Sequence, residues 1–124
     1  MRTWSDLKYF RHPEFASPDA PGSGVRMDLD FVLALDKLRE AVGIPLVIVS
    51  GFRTTQHNAK VGGVECSAHT LGWAADILVL SGATRMRIVR EALRLGFRRI
   101  GIGKKFVHLD VDLTKPQNVM WVYE

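Results

Sequence analysis

Apolar residues Leu29, Val32, Leu33, Leu35, Leu38 and Val42 recur at helical spacing behind Asp28. This predicts an amphipathic helix capped by that aspartate and stopped at Gly43. Pro45 opens a new element, and Leu46 to Val49 is a continuous apolar run rich in β-branched residues, the pattern of a buried strand. Ala75 to Leu80 reads as a second strand. Thr84 is the expected cap of a helix over residues 85–95, ending at Gly96, with Met86, Val89, Ala92 and Leu93 inward and Arg87, Arg90, Glu91 and Arg94 outward. Residues 97–102 suit a third strand. From Phe106 to Asp112 the chain alternates, which puts Val107, Leu109 and Val111 on one face and His108, Asp110 and Asp112 on the other. Trp121 to Tyr123 adds a short terminal strand. Two stretches lack periodicity. Residues 12–24, with three prolines, read as a surface loop. Residues 50–73 hold Gly51, Gly62, Gly63 and Gly72, and an aperiodic stretch of that length is more often functional than idle. The order of elements predicts an α+β fold with a mostly antiparallel sheet flanked by two main helices.

The chain of 124 residues is expected to form a single domain over 1–124. With 47% hydrophobic and 24% charged residues it can bury a core and is not a disordered polymer. One cysteine excludes an internal disulfide framework. No apolar run approaches the roughly 20 residues of a membrane span, and residues 1–6 lack the apolar core of a signal peptide. The expectation is therefore a protein made in the cytoplasm, needing another route out if it works outside the cell. The net charge of +4 is concentrated in residues 85–105, which hold eight basic residues and one acid. That segment suits either a solvated helix face or contact with a polyanion such as an anionic cell-wall polymer. Nucleic acid fits less well, because the interleaved aromatics of single-strand binders are missing.

Candidate chemistry centres on the histidines. His69, Asp76 and His108 would supply two nitrogens and one oxygen, with a turn at Gly72 bringing the loop ligand to the strand ligand. A zinc hydrolase needs three such ligands and one open position. Spacing alone also admits a loop histidine and a half-buried strand histidine without metal. Cys66 stands three residues before His69. A cysteine hydrolase would need an activating setting that the surrounding residues do not provide, so a passive thiol is expected. His57 either borders a cleft and contacts substrate or has a structural loop role.

The wording around these residues is more specific. Ser67-Ala68-His69-Thr70-Leu71-Gly72-Trp73-Ala74-Ala75-Asp76 fits S-x-H-x-x-G-x-A-x-D, Ser50-Gly51-Phe52-Arg53 fits S-G-[YF]-R, and Ile100-Gly101-Ile102-Gly103 precedes Phe106-Val107-His108-Leu109-Asp110. Together these resemble the zinc D-alanyl-D-alanine carboxypeptidase family, which shares its fold with the hedgehog signalling domain, and in particular its small bacterial and bacteriophage peptidases. The resemblance covers about residues 12–113. It implies Zn2+ held by His69, Asp76 and His108. It further implies that Arg53 stabilises the oxyanion, its alternative being a structural salt bridge. Ser67 would bind substrate, orient the His69 loop or simply make a turn. The implied function is cleavage of stem or cross-link peptides of bacterial peptidoglycan, by a D,D-carboxypeptidase or an endolysin-type endopeptidase acting at the wall after phage-type release. The alternative is a hedgehog-like zinc module that binds wall peptide without turnover. One departure keeps that alternative open: many relatives carry a carboxylate base three residues before the last histidine, where this chain has Lys105. Asp110 could replace that base, act as the hydrogen-bond partner of a ligand histidine, or stand outside the chemistry.

Overall fold

A computed structural model describes residues 2–123 of the chain. Three short 3-10 turns, Trp4–Asp6, His12–Phe15 and Ser23–Arg26, run along the N-terminal segment, so residues 12–24 are more regular than a loop. Helix α1, Leu29–Val42, begins at Asp28, whose carboxylate accepts the Asp30 N–H, and ends at Gly43 with a positive φ of 79°. Strand β1 (Ile48–Ser50) leads into a short helix α2 (Thr55–Lys60) and a 3-10 turn at Ala68–Leu71. Both of these lie in the stretch expected to be irregular; each is too short to show apolar periodicity. Strand β2 (Ala74–Leu78), helix α3 (Gly82–Arg94) and strands β3 (Arg99–Ile102), β4 (Phe106–Asp110) and β5 (Val119–Val122) complete the chain.

The five strands form one sheet in the order β1-β2-β4-β3-β5. All neighbours are antiparallel except β3 and β5, which are parallel. Alternation gives this sheet two different faces. One carries Ala75, Ile77, Val107, Leu109 and Ile100, which join Phe31, Val32, Leu35, Leu38 and Val42 of α1 and Ile88 and Ala92 of α3 in a single core. The other carries the polar residues of the same strands. The α+β class and the antiparallel sheet with two longer helices match expectation.

Helix α3 departs from it. Ser81, one turn before Thr84, is the cap, accepting the Thr84 N–H. Met86 and Leu93, expected inward, are exposed, and Glu91, expected outward, is buried. Glu91 tolerates burial because Arg90 and Arg94 both bond its carboxylate, as a buried charge requires. The helix is thus rotated so that Ile88 and Ala92 fill the core. No helix among the described residues is long and apolar enough to cross a membrane.

Leu35 is fully buried at the centre of α1. Leu35→Ala should lower stability by about 2–5 kcal/mol, the usual cost of such a cavity, measured by urea unfolding.

Candidate metal centre

A single cross-strand row organises the polar face. Ser50 on β1 pairs with Asp76 on β2, Asp76 with His108 on β4, His108 with Gly101 on β3, and Gly101 with Trp121 on β5. Residues scattered over seventy positions of sequence therefore stand side by side, because direct cross-strand neighbours lie only about 5 Å apart.

His69 reaches this row from the 3-10 turn. The Ser67 hydroxyl accepts the His69 N–H at 3.2 Å, and Gly72, at a φ of 75°, closes the turn and lets the chain enter β2. A side chain on Gly72 would also meet the Arg26 carbonyl at 2.5 Å. The His69 ring is fixed by its Nδ1–H, which donates to the Gly51 carbonyl at 2.8 Å. Its Nε2 points at Asp76 Oδ1, 3.4 Å away. Across the sheet, His108 Nδ1 lies 2.8 Å from the same oxygen, while Nε2 faces Asp110 Oδ2 at 2.7 Å.

His69, Asp76 and His108 are all buried, and one ligand atom from each lies within 4.8 Å of the others. The separations of 3.4 and 2.8 Å bracket the edge of a zinc tetrahedron, about 3.3 Å for bonds of roughly 2.0–2.2 Å. The second nitrogen of each imidazole already has a buried acceptor, which is how ligand histidines are held in one tautomer and orientation. Two nitrogens and a carboxylate, each aimed inward, make a donor set that fits zinc.

Electrostatics support the carboxylates. Burial alone would raise the Asp76 pKa, but hydrogen bonds from His108 and His69 prevail and hold it well below the usual carboxylate range. Burial likewise opposes charge on His108, yet its bonds to Asp110 and Asp76 raise its pKa above that of free imidazole. At Asp110 burial is outweighed by the His108 hydrogen bond and the Asp112 N–H, so its pKa is lowered. Arg99 adds a third hold on Asp110, donating from Nε at 2.7 Å while its Nη1 donates to the Pro116 carbonyl.

Arg53 lies beside the cluster. Its Nε donates to Ser50 Oγ at 3.0 Å, Nη1 to Asn58 Oδ1 at 3.2 Å, and Nη2 is 3.5 Å from Asp76 Oδ2. Asn58 in turn donates to the Val64 carbonyl. The guanidinium is therefore held at three corners over a cleft of about 530 Å³ whose lining includes Ser67, His69, Asp76, His108, Asp110 and Trp121.

The structure thus brings together Arg53, Ser67, His69, Asp76, His108 and Asp110. It does not bring His57, which lines a separate depression with Pro18, Asp19 and Lys60; the backbone N–H of His57 completes the α2 cap at Thr54, and helix geometry carries the ring away. Asp112 is fully buried, accepting from Thr114 and paired with Lys115. Cys66 is exposed and free, outside the cleft lining. Arg99, Trp121 and Tyr123 contribute without belonging to any recognised motif, and Asn58 follows the S-G-[YF]-R motif by five residues. The 99/101 and 121/123 alternation is the only sequence signal that could have placed three of them on the site face.

A family model for Peptidase M15 matches residues 15–110. The chain belongs to this family, the M15 zinc D-Ala-D-Ala carboxypeptidases. No curated protein matched the chain in a search.

Asp110 faces the His108 nitrogen opposite the ligand triangle. Asp110→Asn should therefore weaken zinc binding roughly 10- to 100-fold, read by competition with a chromophoric chelator. His69→Ala should abolish tight binding of one zinc per chain. In the wild type, zinc at a hundred times its Kd should stabilise the fold by about 2.7 kcal/mol, seen as a rise in Tm.

Proposed function

We propose that the chain is a zinc-dependent peptidase that cleaves peptide bonds in the stem or cross-link peptides of bacterial peptidoglycan. The observation that carries this reading is the inward-facing His69–Asp76–His108 triangle with the Arg53 guanidinium fixed beside it. Zinc held there would supply Lewis acidity, polarising a carbonyl and lowering the pKa of a coordinated water to about 7. Arg53 would donate to the oxygen of the reacting carbonyl as negative charge develops on it. Because Ser50 and Asn58 already hold the fork, little reorganisation is needed at that moment. Asp110 and Arg99 keep His108 turned toward the triangle. Ser67 shapes the turn that presents His69 and leaves the turn end at the cleft.

The basic segment offers less free charge than its composition implies. Arg85, Arg87, Arg90, Arg94 and Arg99 each donate to an acceptor within the chain. Exposed Arg98, Lys104 and Lys105 are the residues proposed to touch an anionic wall polymer.

A second reading, a zinc module that binds wall peptide without turnover, rests on one observation. The only carboxylates lining the cleft among the described residues are Asp76 and Asp110, and both are already engaged. Lys105 is exposed and outside the lining. Incubating purified peptidoglycan with the zinc-loaded protein separates the two readings: new amino termini or released D-alanine, identified by mass spectrometry, support the peptidase, and intact wall with bound protein supports the module.

Arg53→Ala should reduce kcat roughly 10²- to 10³-fold, as loss of an oxyanion donor does, with zinc content unchanged. Arg53→Lys should rescue only part of this, because an ammonium cannot reproduce the planar fork. Wild-type turnover in the alanine variant would assign Arg53 a purely structural role.

A further inference from the structure

The sheet has two edges, and they are built differently. β1 is three residues long, its register against β2 shifts between Ile48 and Ser50, and Pro45 precedes it. Such devices stop an edge from recruiting another strand. β5, at the other end of the strand order, has none of them. Val119 to Tyr123 contains no charge and no proline, and its register against β3 is regular throughout. The N–H groups of Val119 and Tyr123 donate to the Arg98 and Ile102 carbonyls. By alternation, the N–H and C=O of Met120 and Val122 point away from the sheet, and no backbone partner meets them among the described residues. Met120 and Val122 are 52% and 74% exposed. On helix α3, Met86 and Leu93, two turns apart, are exposed as well. Leu93 shares a shallow groove of about 210 Å³ with Phe97, Arg98 and Met120. Met86 follows Arg85, which donates to the Gly103 and Lys104 carbonyls just past Ile102, the β3 partner of Val122. An apolar band thus runs along this edge, with Leu93 beside Met120 and Met86 toward Val122.

Such an edge is a template for a further strand, and its pattern matches its own reverse. We infer that β5 pairs antiparallel with β5 of a second copy about a two-fold axis at Trp121, making one continuous sheet through both copies. In that register Met120 of one copy and Val122 of the other exchange N–H···O=C bonds, and the symmetry repeats the pair. Met120 and Val122 alternate on the helix face, while Val119, Trp121 and Tyr123 meet on the cleft face, so every cross-strand neighbour is apolar or aromatic. No like charges are opposed. Arg98, the cation in the groove lining, falls at opposite ends of the interface in the two copies, roughly 20 Å apart along the strands and beyond the screening length at physiological salt. Pairing uses the open edge of each copy, and the blunted β1 edges stop growth, so assembly closes at two. The axis runs perpendicular to the sheet, so both clefts open on one side and the helices lie on the other. One strand and its flanking band make a small interface, which implies a micromolar dimer. Pairing depends on the fold alone, not on the reaction at the cleft.

The test is sedimentation of the zinc-loaded full chain from low to high micromolar concentration, with amide hydrogen exchange followed by NMR on the same samples. The wild type should pass from the mass of one chain to twice that mass, and the Met120 and Val122 amides should gain protection as it does. High salt should leave the dimer intact. Met120→Lys sets two lysines diagonally across the axis and should weaken association at least roughly tenfold. Adding Val122→Glu to that variant sets each new cation beside a carboxylate of the other copy and should restore most of the association, which a merely disturbed edge would not do. Val122→Pro, tolerated on an edge strand whose N–H faces outward, removes one bonding N–H per chain and should also leave single chains; it serves if Met120→Lys does not fold. Both positions lie outside the cleft lining, and circular dichroism and zinc content check the fold of each variant. A wild type that stays a single chain throughout, or a dimer that Met120→Lys and Val122→Pro leave unchanged, would overturn the pairing. A dimer lost in Met120→Lys and not recovered by adding Val122→Glu would overturn the register.

Discussion

The site depends on the pairing of Asp76 with His108 across β2 and β4. A buried carboxylate costs several kcal/mol unless charge and hydrogen bonds compensate, and here both come from neighbours on the same sheet face. Asp76 takes His108 at 2.8 Å, His69 at 3.4 Å and Arg53 at 3.5 Å. His108 in turn needs Asp110, and Asp110 needs Arg99. Charged and hydrogen-bonding groups thus form a continuous chain from Arg53 through Asp76, His108 and Asp110 to Arg99. Removing any one strands a charge beside it. The array is also self-orienting, since each imidazole has one nitrogen held by a buried oxygen and the other directed at Asp76 Oδ1.

The sheet divides labour between its faces. The apolar face, packed under α1 and α3, holds the strands in a fixed register. Register is strongly specified where one face is buried, because a slip of one residue would turn every side chain over. Core packing through Val107 and Leu109 therefore sets the position of His108 between them and of Asp110 next to Leu109. The precision of the polar site is inherited from the hydrophobic one. The glycine-containing stretch between β1 and β2 uses that platform differently, folding back so that the carbonyl of Gly51 and the side chain of Asn58 brace His69 and Arg53.

Much of this was legible in the residues. Asp28 and Gly43 delimit α1 as their chemistry requires, and the Phe106–Asp110 alternation placed His108 and Asp110 on one face. The M15 motifs mark the ligand triangle. What could not be read came from contacts between distant segments. Glu91 is buried because two arginines on its own helix neutralise it, which overrides its polarity. His57 stands in a polar loop next to a motif, and only the direction of α2 shows that it faces elsewhere. Arg99 looked like one more residue of a basic segment until its partners were known.

By itself, the sequence determined the fold class, the main helices and which three residues make up the candidate metal cluster, because these rest on local periodicity, capping chemistry and short motifs. The tertiary structure alone decided which side chains complete the site. The parallel docking of β5 on β3 puts Trp121 beside Gly101, and sheet order puts Gly101 beside His108. Those are non-local pairings selected by the packing of the whole sheet. No window of neighbouring residues encodes them, since a strand's partner depends on every other strand that competes for the same edge.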